Sequence, residues 1–138
     1  MHYAYEVEIT PTDTVDNYVV QPIILGSGII RHVSIYFPSG CSRVVRCQLW
    51  DRANQVLPTN PDGWYAHDGA SVEADLFYDL DRKGNELYFI AWSIGSSYDH
   101  TLTISLDVQG RDEPDPYSIM SLMNDTINRL IQLCRELI

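Results

Sequence analysis

Hydrophobic and polar positions alternate with a period of two over most of residues 1–108, the pattern of strands that bury one face. Tyr3, Tyr5, Val7 and Ile9 point one way, with Glu6 and Glu8 opposite. Pro11 and the Thr/Asp/Asn cluster behind it end this strand. Tyr18 to Leu25 reads as a second, and Pro22, which lacks a backbone donor, places it at a sheet edge. The turn Gly26-Ser27-Gly28 leads into Ile29 to Phe37, where Ile29, Val33, Ile35 and Phe37 share a face that Arg31 interrupts. After Pro38-Ser39-Gly40, the run Arg43 to Asp51 sets Val45, Cys47 and Leu49 against Arg46, Gln48 and Trp50. A hairpin with the preceding strand is the economical pairing. Residues 52–70, rich in Pro, Gly, Asn and Asp, are the longest irregular connection, with a short strand at Gln55 to Pro58.

Alternation returns at Val72, Ala74, Leu76, Tyr78 and Leu80, with Glu73, Asp75 and Asp79 opposite, and stops at the turn Asp81-Arg82-Lys83-Gly84-Asn85. Leu87 to Ile94 is apolar on both faces, which predicts a central strand. Beyond Gly95-Ser96-Ser97, Leu102, Ile104, Leu106 and Val108 alternate with Thr101, Thr103, Ser105 and Asp107. Seven or eight strands without a helical period predict a mainly β fold, an antiparallel β-sandwich of jelly-roll-like type.

The period changes near the end. Residues 109–115 (QGRDEPD) form a polar linker, and Asp115-Pro116 suits a helix entry, with Asp as cap and Pro at the first helical position. Residues 116–138 then read as an amphipathic α-helix, so the expected organisation is a body over 1–108, a linker over 109–115 and a helix over 116–138. Met120, Met123, Ile127, Leu130, Cys134 and Leu137 recur at heptad a and d spacing, and Ile131 with Leu133 widens the seam. Such a face wants a partner. Self-association, with a trimer as first choice because the stripe exceeds a two-helix seam, or docking on a neighbouring protein is expected. The intrachain alternative is folding back over an open sheet face. The polar side lacks the basic cluster of a membrane-surface helix.

Composition narrows the choices. At 138 residues and 15.8 kDa there is room for one compact body plus an appendage. The 45% hydrophobic fraction argues against disorder. A net charge of -10, from 19 acidic against 9 basic residues, opposes nucleic acid as a partner, since no cation surplus exists to release counterions. No apolar stretch is long enough to span a bilayer, and the N-terminal run resembles no export signal. Cys41, Cys47 and Cys134 lack zinc-ligand spacing and are expected as free, buried thiols.

Candidate chemistry is sparse. His2, His32, His67 and His100 stand in no metal-binding spacing, and Ser39 lacks the context of a nucleophile elbow. Asp75, Asp79 and Asp81, or Asp62 and Asp68, fit solvated strands and turns better than a calcium loop. No catalytic residue, metal or cofactor is therefore expected. Among the aromatics Trp50, Trp64, Tyr65, Trp92 and Tyr98, the pair Trp64-Tyr65 in the long loop is the candidate ligand site, for a sugar ring stacked on the indole. The plainer expectation makes Trp92 core and lets Trp64 pack the loop.

The ordered set Phe37-Pro38-Ser39-Gly40-Cys41, Gln55-Val56-Leu57-Pro58, Asn60-Pro61-Asp62-Gly63-Trp64, Asp68-Gly69, Ala91-Trp92 and Ser97-Tyr98-Asp99-His100-Thr101 resembles a group of small uncharacterised proteins. That group is associated with tailed-phage, prophage and archaeal-virus structural gene sets. The resemblance covers residues 3–108 and leaves the helix outside. It implies a non-enzymatic virion component made in the host cytoplasm and carried on the particle surface, such as a capsid decoration or accessory protein with a capsid shell as partner. The rival expectation is a carbohydrate- or receptor-binding module that works through the Trp64 loop.

Overall fold

The computed structural model describes residues 1–80, 85–110 and 116–137. Eight strands precede one helix: β1 (His2–Ile9), β2 (Val19–Leu25), β3 (Ile29–Phe37), β4 (Val45–Asp51), β5 (Asn54–Leu57), β6 (Ala70–Asp79), β7 (Asn85–Ser93), β8 (His100–Gln109) and α1 (Pro116–Glu136). They form two four-stranded sheets, ordered β1-β8-β3-β6 and β2-β7-β4-β5, in which every pairing is antiparallel. Seven connections join consecutive strands, and only β4 to β5 stays within a sheet. The strand order is that of a jelly roll.

This corrects the expected hairpin between β3 and β4. These strands lie in opposite sheets, and residues 38–44 cross the edge of the sandwich. Both strands have an apolar inner face, so a same-sheet hairpin and a crossing satisfy the alternation equally well. Long-range pairing decides: β3 lies between β8 and β6, and β4 lies between β7 and β5. Pro22 does lie on an edge strand, and β7 is interior to its sheet.

The core is the shared inner face. Val7, Ile9, Val33, Ile35, Phe37, Leu102, Ile104 and Leu106 from the first sheet meet Ile23, Leu25, Val45, Cys47, Leu49, Leu87, Phe89 and Ala91 from the second. At the start of β3 the buried residue is Ile30, and Ile29 is only half-buried. The register shifts between Ile30 and His32 against both β6 and β8. This irregularity at Arg31 moves the inward face from Ile30 to Val33 without strict alternation.

Turn chemistry closes the ends. A Cβ on Gly28 would lie 2.4 Å from the Gln109 carbonyl oxygen, so only glycine lets this turn approach β8. At the crossing, the Asp68 carboxylate accepts the Gly40 N–H at 2.9 Å, bracing a bend in which Ser42 and Arg43 take positive φ. Cys41 and Cys47 are buried free thiols. Cys134, expected as buried, is exposed on α1.

Candidate functional site

The two outward faces differ in kind. On the β1-β8-β3-β6 sheet the outward residues include Glu6, Glu8, Thr101, Ser105, Ser34 and Glu73, as solvent contact demands. His32 sits among them, its Nδ1 2.7 Å from Asp75 and its Nε2 3.3 Å from Glu73. The hydrogen bond to Asp75 raises the His32 pKa above the usual histidine value of 6.5, helped by the charges of Asp75, Glu73 and Asp107 and opposed by desolvation.

The outward face of the other sheet is aromatic. Tyr88, Ile90 and Trp92 from β7 lie beside Gln48 and Trp50 from β4 and Val20 from β2. Val15 and Tyr18 wall one side, while Arg52, Asp62 and Trp64 wall the other. Together they line a groove of about 600 Å³, within the range of small-molecule sites. All three tryptophans of the chain meet here, although they are scattered in sequence.

Gln48 organises this floor. It is almost fully buried; its Oε1 accepts the Trp50 indole N–H at 2.9 Å, and its Nε2 donates to the Gly63 carbonyl at 2.6 Å. Gln55 Nε2 donates to the same carbonyl at 3.1 Å and to that of Pro58 at 2.7 Å. Two glutamines therefore staple the 58–65 loop to the sheet. The loop then pairs with the strand, Tyr65 and Cys47 exchanging both backbone hydrogen bonds at 3.0 Å. Opposite, Ser93 N–H donates to the Asp13 carbonyl at 2.8 Å and holds the 10–18 segment against the end of β7.

The Trp64-Tyr65 pair is split by that bridge, because consecutive residues in an extended backbone face opposite ways. Trp64 enters the groove, 45% exposed, with the Arg46 guanidinium 4.2 Å from its ring centroid. Tyr65 turns inward and packs on the core, where burial first and then the nearby Cys47 push its phenol pKa up. Arg46 Nε is buried with no hydrogen-bond acceptor among the described residues, while its guanidinium lies over the Trp64 ring. Trp92 is 5% exposed yet belongs to the outward face, walled by Val15 and Tyr18.

Sequence reasoning missed Trp50, Tyr88 and Trp92 as members of one site. The signal was present in β7, whose second apolar face predicted burial from both sides. One face meets the core and the other forms the groove floor. Tyr98, 75% exposed, is not among the groove residues. Of the paired acids considered for calcium, Asp62 lines the groove and Asp75 pairs with His32, whereas Asp68 serves the crossing bend. Backbone N–H groups of Ser42, Gly40 and Cys41 hold the Asp68 pKa below the usual carboxylate value. Asp81 lies outside the described residues. Burial pushes the Cys47 thiol far up, and burial with the Asp68 charge raises Cys41, so neither resembles an activated thiolate.

On α1, Met123, Ile127, Leu130, Ile131, Leu133 and Leu137 are between 46% and 87% exposed, and Cys134 is exposed with them. No residue from Met123 to Leu137 is buried by the body. The side chain of Met120 lies outside the described residues, as do the 81–84 turn and linker residues 111–115. No helix among the described residues is long and apolar enough to cross a membrane.

No protein-family model matches this sequence, and no curated protein matches it. Solved structures show similarity to it. A chain of the capsid asymmetric unit of cyanophage Pam1 is similar over 77% of this chain and 81% of its own, with TM-score 0.53 and 12% identity. The pre-peptidase C-terminal domain of a Bacillus anthracis collagenase is similar over 75% of this chain and 88% of its own, with TM-score 0.45 and 13% identity. The Yersinia pseudotuberculosis-derived mitogen gives 84% and 92%, with TM-score 0.39 and 14% identity. At 12% identity the cyanophage match is a likeness of fold alone.

Proposed function

We propose that the chain is a non-enzymatic accessory protein of a virus particle, of the capsid-decoration kind, and that it attaches and oligomerises through α1 and its strand edges. The observation that carries this reading is the run of exposed apolar residues on α1 from Met123 to Leu137, none of which belongs to the core cluster of the body. Burying one Leu or Ile contributes roughly 1.5 to 3 kcal/mol. Ile127, Leu130, Ile131 and Leu137 together thus offset the loss of freedom on association. A trimer is the first expected stoichiometry, for the width of the seam.

The setting is drawn from the fold. Jelly rolls recur in capsid and lectin domains, and the cyanophage Pam1 capsid chain has a similar fold. A net charge of -10 suits an outer surface and disfavours contact with packaged nucleic acid.

Two measurements test the proposal. Particles purified on a density gradient from a culture that produces this chain should carry it in fixed ratio to the major capsid protein. Mass in solution should exceed that of one chain and fall when Ile127→Asp and Leu130→Asp are combined, with attachment to the particle lost in parallel. Unchanged mass together with unchanged attachment refutes the role of α1, and absence from the particle refutes the setting.

A further inference from the structure

The groove on the β2-β7-β4-β5 sheet sits on the face opposite the His32-bearing surface, and no described residue of α1 lines it. We infer that this groove is a binding site for a short neutral oligosaccharide, gripped between Trp64 and the Trp50, Tyr88 and Trp92 floor and oriented by Arg52 and Asp62. The inference does not rest on the virion setting.

Three observations carry it. First, an outward sheet face should be largely polar, as the other face is apart from Tyr36 and Phe77, yet here alternate positions of adjacent strands β7 and β4 bring Tyr88, Trp92 and Trp50 together. Rings of this kind match the C–H-bearing faces of pyranose sugars, which offer apolar surface in a ligand otherwise covered with hydroxyls. Second, Gln48 on the floor has its amide engaged by Trp50 and Gly63, and the charged groups stand at the wall. Asp62 provides a carboxylate acceptor and Arg52 a planar donor fork, a pairing that serves adjacent hydroxyls, one donating and one accepting. Their charges cancel within the groove, and the chain as a whole is strongly acidic, so a neutral ligand fits better than an acidic one. Third, the site is built in advance. Gln48 fixes Trp50 and the 58–65 loop through two hydrogen bonds, Arg46 lies against Trp64, and Asp62 and Arg52 hold positive φ angles of 61° and 56°. Rigid aromatic walls lower the ordering cost of binding. A proline-rich peptide also favours aromatic grooves, but it needs no carboxylate and guanidinium on one wall.

Because the chain has three tryptophans and all line the groove, its indole fluorescence reports this site directly. The full-length protein is titrated with glucose-, galactose- and mannose-based trisaccharides and, separately, with a proline-rich peptide. The expected result is a saturable change in emission with at least one trisaccharide in the micromolar to millimolar range. Trp64→Ala should weaken that affinity by about tenfold. Asp62→Asn, which suits the same left-handed backbone and should leave thermal stability unchanged, should weaken it as well. No response to any trisaccharide at millimolar concentration overturns the inference. So does a response to the peptide alone, or saccharide binding that survives both substitutions undiminished.

Discussion

Replacing Gln48 with leucine isolates what holds the groove together. The change keeps a side chain of similar size on β4 and removes two hydrogen bonds, from the Trp50 indole at 2.9 Å and to the Gly63 carbonyl at 2.6 Å. Gly63 keeps Gln55 as donor at 3.1 Å, and Trp50 is half-buried, so neither stranded group is wholly orphaned. The cost is then that of two ordinary buried hydrogen bonds, about 2 kcal/mol in total. At roughly 4 °C per kcal/mol for a chain of this size, the melting temperature should fall by about 8 °C. Thermal unfolding followed by tryptophan emission measures this, and the native spectrum should shift to the red as Trp50 and the loop loosen. Gln48→Glu separates the two bonds, because it retains the acceptor for Trp50 and loses the donor to Gly63. Its carboxylate faces a carbonyl, so the variant should gain stability as pH falls and the acid form can donate. Stability of Gln48→Leu within about 0.5 kcal/mol of the parent would show that the loop is held by other contacts.

Three further outcomes are expected. The pKa of His32 is raised in the folded state, so its stabilisation is fully present below 6.5 and is lost as pH rises through the folded value; the stability gap between the parent and His32→Gln should be larger near about pH 5 than near about pH 9. Gly28→Ala would set a methyl carbon 2.4 Å from the Gln109 carbonyl oxygen and 2.9 Å from Val108 Cγ1, which should lower the denaturant midpoint by the equivalent of about 2 kcal/mol or more with the slope unchanged. Residues 1–109 expressed alone should unfold cooperatively, since the core cluster runs from Val7 to Val108; a molten product would show that α1 completes the core.

Local sequence pattern located the strands, by period-two alternation for most, by an apolar run on both faces for β7 and as a short stretch within the long loop for β5, because the face a side chain takes along one strand is a local property of the backbone. The helix α1 was legible for the same reason, in its own period. What alternation does not encode is which strand lies alongside. The edge position of Pro22 could be read because a missing N–H is a local fact. The passage of β3 and β4 into opposite sheets could not, since both strands present equivalent inner faces and the choice rests on pairings formed with β6, β7 and β8. The groove belongs to the same class. Trp50, Trp64 and Trp92 are separated by strands and loops, and only the adjacency of β4 to β7, together with the Cys47–Tyr65 bridge, brings their rings to one surface. Sequence placed Trp64 and Tyr65 together as neighbours, and the extended backbone at that bridge sent them to opposite sides of the sheet. Local pattern thus determined what each segment is, whereas contacts between distant segments decided which side chains share a surface.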